Sequence, residues 1–262
     1  MTFPTILDYL DDDSRLFAFS TTRKGGVSKG NYGGFNMNSY CGDNPSHVEA
    51  NRKAFCYLFG LDESKLVMPH QVHGTEVRVI DDAFEAMSPD KRARYLEGVD
   101  AVMTQKPRLC IGVSTADCIP VLLVDHAKVA VCAIHAGWRG TVKGIVKESF
   151  AAMQEAYGCD VNDMEAIIGP GISMKNFEVG DEVYDEFCGA GFRMDDISCR
   201  MGGKWHIDLW EANCQQLRDM GFPQEKIMVA GICTYDHVDD FFSARRLGIA
   251  SGRIFTGAIL VE

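Results

Sequence analysis

The chain lacks the cysteine pairs that a closed structural zinc site uses. None of its ten cysteines stands in a Cys-x-x-Cys pair, so a four-ligand structural set has no framework here. Their scatter through 262 residues also lacks the spacing of a small disulfide scaffold. Cys110 and Cys132 fall in apolar runs, where a free thiol behaves as a small hydrophobe. Basic charge is in deficit too. A net charge of −11 disfavours a general nucleic-acid binder, which needs a basic face. A local arginine cluster can still hold a small phosphate-bearing molecule. The first thirty residues contain no basic segment followed by an apolar run, and Asp8 to Asp13 is acidic instead. No apolar stretch approaches the ~20 residues of a membrane span. A cytoplasmic protein with no membrane partner is the expectation. Repeats, low-complexity tracts and Pro/Ser-rich linkers are absent as well. With 46% hydrophobic and 24% charged residues, residues 1–262 read as a single domain with a substantial core.

Strand and helix patterns mix without regular alternation. Leu16–Thr21 reads as a strand, followed by the glycine-rich loop Arg23 to Ser28. A helix is expected from Ser46 to Leu58, ended by Gly60, and a strand over Thr75–Ile80. Short apolar runs at Val99–Thr104, Leu109–Ser114, Pro120–Val124 and Lys128–Ile134 predict a β-rich centre. A helix is expected over Thr141–Tyr157, with Gly158 as its stop. Ala166–Ile168 and Ile227–Ile232 read as strands. Asp208-Leu209-Trp210-Glu211 resembles a capping box opening a helix that ends at Gly221. The pattern predicts an α+β fold with a mixed sheet.

Against this background three motifs stand out: His70-Gln71-Val72-His73-Gly74-Thr75, Thr115-Ala116-Asp117-Cys118, and His135-Ala136-Gly137-Trp138-Arg139-Gly140-Thr141. Two imidazoles and one thiolate make an open catalytic zinc set, with a position left for water or substrate. If Pro120–Val124 and Lys128–Ile134 pair as a hairpin, Cys118 and His135 lie side by side, and His73 must arrive from another loop. Taken singly, each residue reads equally well as a buried thiol or an ordinary hydrogen-bonded histidine. His70 competes with His73, which is preferred for its place beside the flexible Gly74. His47, His126, His206 and His237 lack a comparable context.

Arg139, at a strand-to-helix turn, is a candidate anion holder together with the N–H groups of the helix start; Arg23 and Arg52 could add charge. Asp117 is a candidate general acid or base, or a partner that orients a ligand. Asp240 to Arg246 offers Phe242 to stack a heterocycle and Arg245 to pair with an anion. A core edge with a basic rim would look the same.

These stretches, with Ser20 to Ser28, Gly42-Asp43, Asn51-Arg52, Ile168 to Ile172 and Phe241 to Arg246, closely resemble the YfiH-like family, also called the laccase-domain or multicopper polyphenol oxidase family. Two departures are visible: Thr21-Thr22-Arg23 where Ser-Thr-Arg is usual, and Ala244 where Tyr is common. The resemblance implies a three-layer α/β/α-like fold with a mixed sheet, and a metal site of His73, Cys118 and His135. It implies a zinc-dependent purine nucleoside phosphorylase acting on adenosine, inosine, guanosine and S-methyl-5′-thioadenosine, with adenosine deamination in addition. In that reading a zinc-activated water would attack C6, Asp117 would carry the proton, and Arg139 would hold phosphate for attack at C1′. The partners are then purine nucleosides and phosphate. The laccase label implies copper-dependent phenol oxidation, against which seven histidines are few, although Cu(II) could still enter a His₂Cys site. A further alternative is a Cys–His amidase editing peptidoglycan precursors, with Cys118 as nucleophile and His135 as base.

Overall fold

The computed structural model describes residues 3–10 and 15–261; most of the acidic run, Asp11 to Asp13, lies outside them. Two mixed sheets form its centre. One has five strands in the spatial order Ile6–Asp8, Leu16–Thr21, Ile254–Leu260, Cys110–Thr115 and Leu66–Val67. The other has six, in the order Ile227–Val229, Met164–Ile168, Ile119–Asp125, Ala130–Ala136, Ala101–Thr104 and Val77–Val79. A three-stranded sheet of Glu178–Val179, Lys204–Ile207 and Ser198–Met201 lies apart from both.

The period-2 alternation of side chains decides the layering. In the six-stranded sheet, Leu122, Val124, Val131 and Ala133 share one core with Ile111, Val113, Ala18 and Leu260 of the five-stranded sheet. The two sheets therefore pack face to face. Ile119, Val121, Leu123, Cys132 and Ile134 point the other way, onto the helices Ile145–Tyr157 and Leu209–Asp219. Phe19 and Phe255, on the outer face of the five-stranded sheet, pack on Phe55 of the helix Pro45–Leu58. The outcome is α+β with mixed sheets, a helix–sheet–helix sandwich whose sheet layer is doubled. Covering both faces explains why Ile119–Asp125 and Ala130–Ala136 are buried along their whole length and read as unbroken apolar runs.

Local signals set several boundaries. The Asp208 side chain accepts from Glu211 N–H at 3.0 Å and caps the helix Leu209–Asp219, and Asn44 caps Pro45–Leu58 through Ser46 N–H. One expectation needs correction. The helix expected from Thr141 to Tyr157 is two helices, Trp138–Val142 and Ile145–Tyr157, because Gly144 sits at φ +80°. The left-handed conformation interrupts the ladder there. Likewise the Ile227–Ile232 strand stops at Val229. All ten cysteines are free thiols, and no helix among the described residues is long and apolar enough to cross a membrane.

Candidate metal centre

The hairpin of Ile119–Asp125 and Ala130–Ala136 is antiparallel, with Pro120 opposite His135 and Ile119 opposite Ala136. That register brings Cys118, one residue before the first strand, beside His135 near the end of the second, as the sequence led one to expect. His135 has the parity of Val131 and Ala133, so it faces the gap between the two large sheets. His73 reaches the same point from the loop that crosses that gap. Its backbone neighbour Gln71 locks the loop to the five-stranded sheet: Gln71 Nε2 donates to Ser114 O (3.0 Å), and Ser114 N–H donates back to Gln71 Oε1 (2.8 Å). The donor atoms of His73, Cys118 and His135 all lie within 4.8 Å of one another. Cys118 Sγ is 3.7 Å from His73 Nε2, and the imidazoles meet edge-on at 4.7 Å. Among the described residues this is the one group of three or more His, Cys, Asp or Glu side chains so arranged.

The residue that organises it escaped sequence reasoning. Asp100 is fully buried. Its Oδ1 accepts from His135 Nδ1–H (2.7 Å) and His73 N–H (2.9 Å), and its Oδ2 from Gly74 N–H (2.7 Å) and Val72 N–H (3.2 Å). One carboxylate thus fixes the His135 tautomer, leaving Nε2 for a ligand, and holds the loop carrying His73. A carboxylate behind a ligating histidine is the usual means of orienting it. The signal for it was present: a lone acid beside an apolar strand buried on both faces must find partners.

The electrostatics follow from this packing. Burial would raise the Cys118 thiol, but the His135 and His73 imidazoles outweigh it and bring it down to about 6. Burial would lower His135, but the Cys118 thiolate and the Asp100 carboxylate raise it to about 9. Burial pushes Asp100 up as well, yet its hydrogen bond to His135, the charge there and the Gly74 and Val72 N–H groups hold it below the usual carboxylate range. The two groups favour opposite charges on each other, and a cation held here would take the place of the imidazole proton. The donor set fits a borderline metal such as zinc: two imidazole nitrogens, one thiolate and, among the described residues, no fourth protein ligand.

Space is reserved for it. A Cβ on Gly137 would lie 2.6 Å from His73 Cδ2 and 3.1 Å from Cys118 Sγ, so only glycine lets the three side chains converge. His73 itself sits at φ +62° and Asp117 at φ +82°, conformations that non-glycine residues hold only when their surroundings enforce them. For Asp117 the enforcement is visible. Its Oδ1 accepts from Thr234 Oγ1–H and its Oδ2 from Arg245 N–H, both at 2.7 Å. Both oxygens are therefore occupied. Asp117 thereby anchors the turn leading into Cys118.

An open cavity of about 400 Å³ lies over the three donors; its other walls include Tyr40, His70, Ser114, Arg139, Ala244 and Arg253. Of the arginines expected near substrate, Arg139 alone lines it. Arg139 is exposed and stacks on Trp138, with its guanidinium carbon 4.2 Å from the ring centre. The anion-holding role expected of the adjacent helix start weakens, because Trp138–Val142 has only five residues and a short helix sums few dipoles. Arg23 donates to Gly33 O and Val238 O, and Arg52 to Met37 O. Arg245 reaches Glu178 O. These three tie loops together away from the cavity wall. Phe242 is fully buried under Arg23, 4.7 Å from the guanidinium, and offers no face for a heterocycle. Arg253, which sequence reasoning missed, lines the cavity while bonding Ser251 O and Ile249 O. The remaining motifs build the wall. Asp43 accepts from Ser28 Oγ–H (2.6 Å) and Asn36 Nδ2–H (2.9 Å), and Asn51 donates to Asn36 O (2.8 Å). That network sets the loop carrying Tyr40.

Comparison with known proteins identifies the family. Residues 17–261 match the family described as multi-copper polyphenol oxidoreductase laccase. A purine nucleoside phosphorylase of Bacteroides thetaiotaomicron is 46% identical, covering 96% of this chain and 94% of the relative. An adenosine deaminase from an unknown prokaryotic organism is 43% identical, covering 96% of each. Among solved structures, YlmD from Geobacillus stearothermophilus superposes with a TM-score of 0.88 at 29% identity, covering 95% of this chain and 93% of that one. A Bacillus licheniformis hypothetical protein, YfiH, gives a TM-score of 0.87 at 29% identity, covering 97% and 98%. The chain belongs to the YfiH-like, laccase-domain family.

Proposed function

We propose that this chain is a cytoplasmic, zinc-dependent purine nucleoside enzyme that cleaves adenosine, inosine, guanosine and S-methyl-5′-thioadenosine with phosphate and also deaminates adenosine. The observation that carries the reading is the convergence of His73, Cys118 and His135 under one open cavity walled in part by the exposed Arg139 and by Tyr40. The relatives named purine nucleoside phosphorylase and adenosine deaminase support the choice of substrate. Copper-dependent phenol oxidation is disfavoured, since a single His₂Cys group is present among the described residues.

When bound, the metal supplies Lewis-acid polarisation and lowers the pKa of a coordinated water. The chain's own residues do the rest. Asp100 keeps His135 and His73 aimed, and Gly137 keeps their approach clear. Arg139 receives phosphate, and its stacking on Trp138 limits the rotamer freedom lost on binding. Tyr40 stacks on His70 and holds that ring at the cavity wall. Ala244, small where the family commonly has Tyr, leaves that end of the cavity open.

One observation favours a second reading. Cys118, His135 and Asp100 also form a nucleophile–base–orienter row, with the thiol drawn down to about 6. That is the equipment of a metal-free Cys–His amidase. Chromatography of products from zinc-loaded protein and adenosine, with and without phosphate, separates the readings. Adenine and ribose 1-phosphate formed only with phosphate, or inosine in either case, is the expected result. No product from fully zinc-loaded protein would move the amidase to the front.

A further inference from the structure

A purine leaving C1′ carries the electron pair of the broken C–N bond and needs a proton on nitrogen to depart easily. Asp117 is not among the residues that line the cavity, and its carboxylate oxygens accept from Thr234 and Arg245. A titratable side chain that does line the cavity is better placed. His70 lines the cavity with the three metal donors, and its Nδ1–H donates to Glu97 at 2.7 Å. That leaves Nε2 for a ligand. One face of the ring stacks on Tyr40, with centroids 4.2 Å apart and planes 22° from parallel.

This dyad is built into the backbone. His70 N–H donates to Leu96 O (3.0 Å) and Val99 N–H donates to His70 O (3.2 Å), a parallel bridge that sets His70 opposite Glu97. Glu97 lies three residues before Asp100, so one short segment orients both the metal histidine and the cavity histidine. The groups facing His70 are Glu97 and Tyr40, and the cavity's other charges are the Arg139 and Arg253 guanidiniums.

We propose that His70, oriented by Glu97 and Tyr40, is the proton donor to the departing purine. The proposal rests on the purine nucleoside reading above. A phosphate oxygen forms the new bond to C1′ as the C1′–N bond breaks. The electron pair goes to N9 and spreads over the purine ring, whose N7 takes the Nε2 proton of His70. A proton from water or from the next dihydrogen phosphate returns to His70 Nε2. Glu97 is a positioning residue in this scheme.

The test compares inosine with N7-methylinosine, whose base departs uncharged and needs no proton. Wild-type, His70→Gln and Glu97→Gln holoenzymes are assayed for phosphorolysis of both, with metal content measured alongside. For His70→Gln, kcat/KM on inosine is expected to fall about 100-fold, in the range of a lost general acid, with the methylated substrate and the metal content nearly unchanged. Glu97→Gln is expected to show the same split at a smaller amplitude. Equal losses on both substrates, or undiminished inosine cleavage, would overturn the assignment of His70. A wild-type enzyme inert towards both substrates would overturn the phosphorolysis on which the assignment rests, and the assignment with it, while inosine formed from adenosine would leave the wider purine reading standing.

Discussion

The middle and the end of one hairpin obey different physics. In the middle, Val121 faces Ile134 and Leu122 faces Ala133, all fully buried among aliphatic neighbours. Packing accounts for every one of them. At the end, the fold gathers a half-buried thiol, a buried imidazole, a buried carboxylate behind it and two non-glycine residues at positive φ, His73 and Asp117. None of that is what stability alone would select. The sheet-to-sheet core provides a rigid frame, and the frame over-determines a strained, charged cluster where the two sheets part.

The comparison can be broken from either side. The largest effect is expected at the end: Cys118→Ala should lower nucleoside turnover by more than about a thousandfold through loss of metal. Its thermal midpoint should stay close to that of the metal-free wild type, since a metal bound only by the folded state adds stability that both forms lack. Activity and calorimetry on the same sample check both halves. Leu122→Ala should do the reverse. It should lower unfolding free energy by about 2–5 kcal/mol, as cavities in packed cores do, while the folded fraction retains its metal stoichiometry. Denaturant titration with metal analysis would show whether frame and site are separable. Asp100→Asn lies between the two. It leaves carboxylate-seeking N–H groups facing an amide and is expected to weaken zinc binding about 10–100-fold, measurable by competition with a chromogenic chelator. Arg139→Ala should have the smallest effect. It should raise the KM for phosphate about tenfold, the worth of one charge-assisted contact, with no change in thermal midpoint for so exposed a side chain.

The same contrast explains what could be read from the sequence. The hairpin was legible because two apolar runs flank a polar turn, and its register then placed Cys118 beside His135. His73 was legible through its motif. Asp100 was not, since a single acid beside an apolar run belongs to no motif, although its burial obliged it to be paired. Motif arginines proved ambiguous for a physical reason: guanidinium forks satisfy loop carbonyls as readily as ligands, and Arg23, Arg52 and Arg245 do the former. The helix break at Gly144 was hidden because Val142, Ile145 and Val146 keep their apolar periodicity across it. The small sheet was missed because Ser198–Met201 and Lys204–Ile207 carry exposed polar side chains and show no apolar run.

The most direct test of the central claim is phosphate-dependent cleavage of inosine before chelation, after it, and after zinc is returned. The account requires activity to disappear with the metal and to recover as zinc approaches one per chain. Undiminished activity in protein shown to be metal-free would contradict it, and would leave Cys118 and His135 as a nucleophile and its base.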